Sequence, residues 1–141
     1  MKKALGCLSM AALAFVLAAP VSAQTITLRA SVPFDFVVAG RTMPAGDYLV
    51  STSGDMGLLQ VSSVAKGSTP AFATTNGADG PMEGTAAFLT FNRYGGDYFL
   101  AKIWDGAGAA GRSIPMSRTE REEAKSASLG KPEVVMVLAR R

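Results

Sequence analysis

The sequence predicts an all-β, mostly antiparallel domain, a β-sandwich or small barrel of about eight strands with one short surface helix near the C-terminus. Three observations carry this expectation. Apolar residues recur at every second position through most of the chain beyond residue 24. Proline and glycine interrupt these runs at short intervals, as turns do. The central run from Thr85 to Gly106 is apolar on both of its sides, so it needs cover from two directions.

The first element reads as a delivery signal. Lys2 and Lys3 precede an apolar stretch from Ala4 to Ala19, Pro20 breaks it, and Val21-Ser22-Ala23 offers a cleavage site. This is the anatomy of a secretory signal peptide over residues 1–23, leaving a single β-rich domain over 24–141. The apolar stretch is shorter than the roughly 20 residues a membrane-spanning helix wants. Cys7 lies at the start of the stretch, whereas lipid attachment needs a cysteine beside the cleavage point. Without Lys2 and Lys3 the net charge of +3 falls close to neutral, so nothing argues for a nucleic-acid partner.

The strands follow in order. Thr25 to Ser31 alternates around Ile26, Leu28 and Ala30. Phe34 to Val38 puts Phe34, Phe36 and Val38 on one side and Asp35 on the other. Met43-Pro44-Ala45-Gly46 suits a turn, because proline presets φ at its second position. The strand after it carries Tyr48 and Val50 on one side. Gly57 to Ala65 reads as another strand, and Thr69 to Thr75 as an edge-like one because of Pro70. Asn76 to Pro81 reads as loop.

Thr85 to Gly106 forms the strongest hairpin. Gly95-Gly96 suits a two-residue turn that needs positive φ. In that register Arg93 faces Tyr98, Phe91 faces Leu100, Leu89 faces Lys102 and Ala87 faces Trp104. Gly106 to Gly111 is glycine-rich, but it lacks the Lys-Ser/Thr ending of a phosphate loop and reads as a flexible connection. Ser117 to Ser128 breaks the two-residue period. Ser117 and Glu120 make a capping box, Arg118 and Glu122 stand at i,i+4, and the apolar face is thin, mainly Ala124 and Ala127. The helix should end near Gly130-Lys131-Pro132. Glu133 to Ala139 is a last, heavily apolar strand, expected in the interior of a sheet.

Composition closes several chemistries. There is no histidine, and the one cysteine leaves with the signal. Serine and cysteine triads, zinc sites, haem ligation and disulfides are therefore excluded for residues 24–141. No metal or cofactor is expected. A membrane-spanning β-barrel is the competing architecture, but its strands should alternate over about 10 residues between aromatic girdles, a pattern these shorter runs lack.

Three sets of candidate residues remain. Asp35 sits among bulky apolar residues, yet strand parity turns it away from the core that Phe34 and Phe36 fill. A functional reading would pair it with Arg41 or Arg93. Asp35, Asp47, Asp97 and Asp105 are the acids available to a carboxylate hydrolase, which needs two of them about 5 to 9 Å apart. Most of these stand at turns, where aspartate is favoured for local hydrogen bonding. The ligand-binding candidates are Arg93, Tyr98, Lys102 and Trp104, which share one face in the simple hairpin register. Aromatic faces stack on sugars and guanidinium groups add directional hydrogen bonds. The competing reading buries Trp104 with Leu100 and lets Lys102 reach out to water. Arg112, Arg118 and Arg121 lie near the helix start, either to receive an anion or as a solvated, ion-paired surface.

The segments VPFDFVVAGRTMPAGDYLV, FNRYGGDYFLAKIW and GRSIPMSRTEREEA resemble a group of small exported bacterial proteins. That group carries a VPFxF…LPAGxYxV segment, an RYGxxYFLxxIW segment and an arginine-rich helix. Met43 stands where leucine is usual. The resemblance spans most of residues 28 to 125 and implies a single exported β-rich domain. It implies no activity and no catalytic residue.

The functional expectation is an exported, periplasmic or extracellular, non-catalytic domain. It would be a binding or structural component of the cell envelope or exterior, with an envelope protein or glycan as partner. The alternatives are a small carbohydrate- or ligand-binding module using the hairpin face, and a carboxylate hydrolase.

Overall fold

The computed structural model describes residues 25–53, 57–79, 86–106, 110–127 and 131–141. The signal-peptide expectation for residues 1–23 lies outside them.

The described residues form eleven strands and one helix. The strands are β1 (Ile26–Val32), β2 (Phe36–Val38), β3 (Arg41–Met43), β4 (Gly46–Ser53), β5 (Leu58–Ser63), β6 (Ala71–Thr74), β7 (Asn76–Asp79), β8 (Ala87–Tyr94), β9 (Asp97–Trp104), β10 (Ala110–Ser113) and β11 (Glu133–Arg140). Helix α1 spans Arg118–Ser126. No helix among the described residues is long and apolar enough to cross a membrane.

All strands join one sheet in the order β3-β2-β9-β8-β11-β1-β4-β5-β6, and β10 pairs with both β9 and β7. Only Thr75 separates β6 from β7, so the sheet returns on itself through β7 and β10. The result is a nearly closed, barrel-like sheet around an apolar interior. Every strand pair is antiparallel except β2 with β9, which meet in parallel at Val37 and Phe99.

The closing corner depends on a glycine. Thr75 donates its backbone N–H and its hydroxyl to the Gly57 carbonyl, at 2.6 and 2.7 Å. Gly57 has φ +59°, and a Cβ there would lie 2.6 Å from the Thr75 carbonyl oxygen. Only glycine takes that conformation at that distance without strain. Arg41 donates to the Pro70 carbonyl at 2.9 Å, which ties β3 to the approach to β6.

The interior holds what period-two reading assigned to it. Leu28, Val32, Phe36, Val38, Tyr48, Val50, Leu59, Val61, Leu89 and Phe91 are essentially inaccessible to water. Phe36 meets Tyr48 and Phe91 edge-on, with centroids 5.0 and 5.3 Å apart. The Tyr48 hydroxyl donates to the Pro44 carbonyl, so a buried phenol keeps a partner and braces the turn before its own strand. Burial holds the Tyr48 hydroxyl above its usual pKa, with Asp35 adding to the shift. Asp35 itself is exposed and accepts the Ala45 backbone N–H at 2.8 Å, fastening the same turn from the outside.

Beyond the short strand Arg41–Met43, which pairs with β2 where the sequence predicts no strand, three elements differ from expectation. Asn76–Asp79 is strand rather than loop, because β10 supplies its hydrogen-bond partners. The end of the glycine-rich segment is likewise strand, Ala110–Ser113, and residues 107–109 lie outside the described residues. The third concerns the hairpin. Arg93 faces Tyr98 and Phe91 faces Leu100, but then Thr90 faces Lys102, Leu89 faces Ile103 and Phe88 faces Trp104. Ala101 is the extra residue of a β-bulge, and its carbonyl is taken by the Ile114 N–H at 2.8 Å. One unpaired residue reverses the parity of everything after it.

Candidate functional site

The bulge separates the four hairpin candidates. Arg93 and Tyr98 lie on the inward side at one rim of the barrel, while Lys102 and Trp104 lie on the outer face. They do not form one platform. At the rim, Tyr98 stacks on Phe34 with centroids 3.9 Å apart, and the Arg93 guanidinium sits 5.4 Å from the Tyr98 ring. Arg93 also donates to Glu133 at 3.0 Å and to the Gly95 carbonyl at 2.9 Å. Two of its donors, on Nε and Nη1, already serve the rim. Trp104 is only 6 % exposed. Its ring lies over Gly111, where a Cβ would fall inside the indole, and beside Phe88 at 5.8 Å. Lys102 is exposed.

Each of the four aspartates has its own setting. Asp35 holds the Ala45 N–H, Asp47 is exposed on β4, Asp97 is exposed at the hairpin turn, and Asp105 binds Arg141 at 3.2 Å. Among the described residues no group of three or more carboxylate, histidine or cysteine side chains could hold a metal. The three helix-region arginines also differ in setting. Arg118 pairs with Glu122 at 3.1 Å, Arg112 is half-buried on β10, and Arg121 is exposed.

Helix α1 covers one part of the outer face. Ser117 accepts the Glu120 N–H at 3.1 Å, as a capping residue does. Glu120, rather than the two alanines expected to face inward, is the buried residue of the helix at 4 % exposure. It accepts a hydrogen bond from Asn92 at 3.0 Å. Tyr94 and Phe99 are buried beside it, with ring centroids 5.8 Å apart. Burial raises the Glu120 pKa, and the hydrogen bonds from Asn92 and the Ser117 backbone offset part of that rise.

The neighbouring part of the outer face is bare. β11 sits in the middle of the sheet between β8 and β1, as expected of a heavily apolar strand. Yet its outward side chains stand in water: Val134 is 59 % exposed, Met136 68 % and Leu138 76 %. They project at every second position, a stripe about 13 Å long at strand spacing. Phe88, half-buried, pairs with Leu138 and widens the stripe toward β9.

At the Leu138 end the chemistry changes. Arg29 on β1 and Arg140 on β11 are direct cross-strand partners. Like charges placed opposite each other cost stability. Both are exposed, and neither makes an ion pair among the described residues. By contrast Arg93, Arg118 and Arg141 each hold a carboxylate. β1 and β11 pair at only two positions, whereas β1 and β4 pair at seven. Where they part, a groove of about 550 Å³ opens, lined by Arg29, Ser31, Asp47, Leu138 and Arg140 among others. A smaller cavity of about 210 Å³ lies at the seam, beside Arg41, Met43 and Tyr48.

Sequence reasoning missed this face. Apolar residues at both parities of Glu133 to Ala139 predict burial on both sides. The one legible signal is the arginine at the end of the outward parity, Arg140. Compared with protein-family models, with curated proteins and with solved structures, the chain matches none.

Proposed function

We propose that this chain is a non-catalytic, exported β domain that works by surface contact at the cell envelope or exterior, and that the outer face of β11 is its contact surface. The carrying observation is the row Val134, Met136 and Leu138, three large apolar side chains in water at the centre of a sheet. Single exposed hydrophobics are ordinary, but a contiguous apolar patch on a folded domain marks an interaction site. The N-terminal segment supports export. The interior is apolar and the outer positions of β1 and β4 include Thr27, Arg29, Ser31, Asp47 and Ser51, which is the reverse of a membrane-spanning barrel.

The hairpin alternative loses its platform, since Trp104 is covered and Arg93 is engaged. Of the acids named for the hydrolase alternative, Asp35 already holds the Ala45 N–H and Asp105 already holds Arg141.

The test is fractionation of a host that exports the full chain. Wild-type protein should remain with the envelope fraction, and the double substitution Met136→Ser with Leu138→Ser should move to the soluble fraction with unchanged circular dichroism. Retention of the folded double variant in the envelope would remove this reading.

A further inference from the structure

The charges around the bare stripe narrow the partner. The groove at its end presents two guanidinium groups on adjacent strands and one carboxylate, Asp47, on the next strand. Two opposed arginines suit a phosphate, which takes paired N–H donors from each. A neighbouring carboxylate repels a plain anion but suits an ammonium with N–H donors. The apolar row beside them suits hydrocarbon. Together the three features match a surface that offers phosphate, primary ammonium and acyl chain side by side.

Resting on the reading of this face as the contact surface, we infer that it docks on a membrane surface bearing phosphoethanolamine headgroups. Phosphate oxygens accept from Arg29 and Arg140, and the ammonium donates to Asp47. Val134, Met136 and Leu138 enter the boundary between headgroups and acyl chains. Burying these side chains supplies the apolar part of the affinity, and the cations supply attraction and orientation. Lys102, exposed on the same side of the sheet, adds a further cation.

The experiment is co-flotation of the protein, as recovered after export, with three kinds of vesicle. One is phosphatidylcholine alone, whose quaternary ammonium has no N–H. The second is phosphatidylcholine with phosphatidylethanolamine, and the third is phosphatidylcholine with phosphatidylglycerol, an anion without ammonium. Every variant carries the same N-terminal residues as the wild type, so differences between variants read the face alone. Binding should be strongest on the phosphatidylethanolamine vesicles. Arg140→Ser should weaken it about tenfold, the order expected for a lost charge-assisted hydrogen bond. Asp47→Asn should erase the preference over phosphatidylcholine while keeping binding to phosphatidylglycerol. Equal flotation on all three vesicles, or binding indifferent to Arg140 and Asp47, overturns the inference. A dimer in sedimentation that Met136→Ser dissolves also overturns it, because a second copy would then cover the stripe. Absence of flotation alongside stripe-dependent envelope retention overturns the lipid partner and leaves the contact face standing.

Discussion

Two apolar regions share the outer face of this barrel, and the chain treats them differently. Over Asn92, Tyr94 and Phe99 it lays helix α1, pinned by its Ser117 cap and by the Asn92–Glu120 hydrogen bond. Over Val134, Met136 and Leu138, on the strand next to Asn92, the described residues lay nothing. The covered region even accepts a desolvated carboxylate in exchange for closure. The bare region leaves hydrocarbon in water, although burial stabilises by about 25 cal/mol for each Å² removed from solvent. Folding stability explains the first region and not the second. That difference is the reason for assigning contact to β11 rather than to the aromatic hairpin.

Substitutions on the two sides should separate them. Phe99→Ala empties a buried site under the helix, and it should cost about 3 to 5 kcal/mol in chemical denaturation. A loss below about 1 kcal/mol, the size of an ordinary surface effect, would mean the helix does not seal that region.

Glu120→Gln should act in the opposite direction. Desolvation raises the folded-state pKa of Glu120, so the protonated form is favoured on folding. Its contribution is fully present below the unfolded pKa and is lost as pH rises through the folded one. Glutamine keeps an acceptor for Asn92 and a capping-box residue without the charge. The variant should therefore melt higher than wild type at neutral pH, and the gap should close toward about pH 4, near the unfolded carboxylate value. A constant gap across that range would show that ionisation is not the cause.

The smallest effect belongs to the bare region. Met136→Ser should change stability by no more than about 0.5 kcal/mol, as exposed positions do. A drop of several kcal/mol would reveal that the stripe is part of the core after all and would erase the contrast.

Much of the interior was legible beforehand. Leu28, Phe36, Tyr48, Val50 and Phe91 follow from alternation, because side chains on a strand take opposite sides whatever lies beyond it. The turn at Gly95-Gly96 follows from its need for positive φ, and Gly95 has φ +60°. The start of α1 follows from a cap that involves only neighbours in sequence. The bare face of β11 was not legible, since period-two reasoning says which residues share a side and is silent about what covers that side.

The sequence by itself determined the strand-rich class, the helix start and the chemistries closed by the lack of histidine and the single early cysteine. These depend on composition and on interactions within a few residues. Tertiary structure alone decided three things. It turned Asn76–Asp79 into strand by bringing β10 beside it. It placed a bulge at Ala101, where Ile114 takes the carbonyl, and so moved Lys102 and Trp104 to the opposite side from Arg93 and Tyr98. It also set Arg29 against Arg140 at the end of an uncovered apolar row. Each joins residues distant in the chain, and no local propensity records which strands will become neighbours or which faces will be left without a cover.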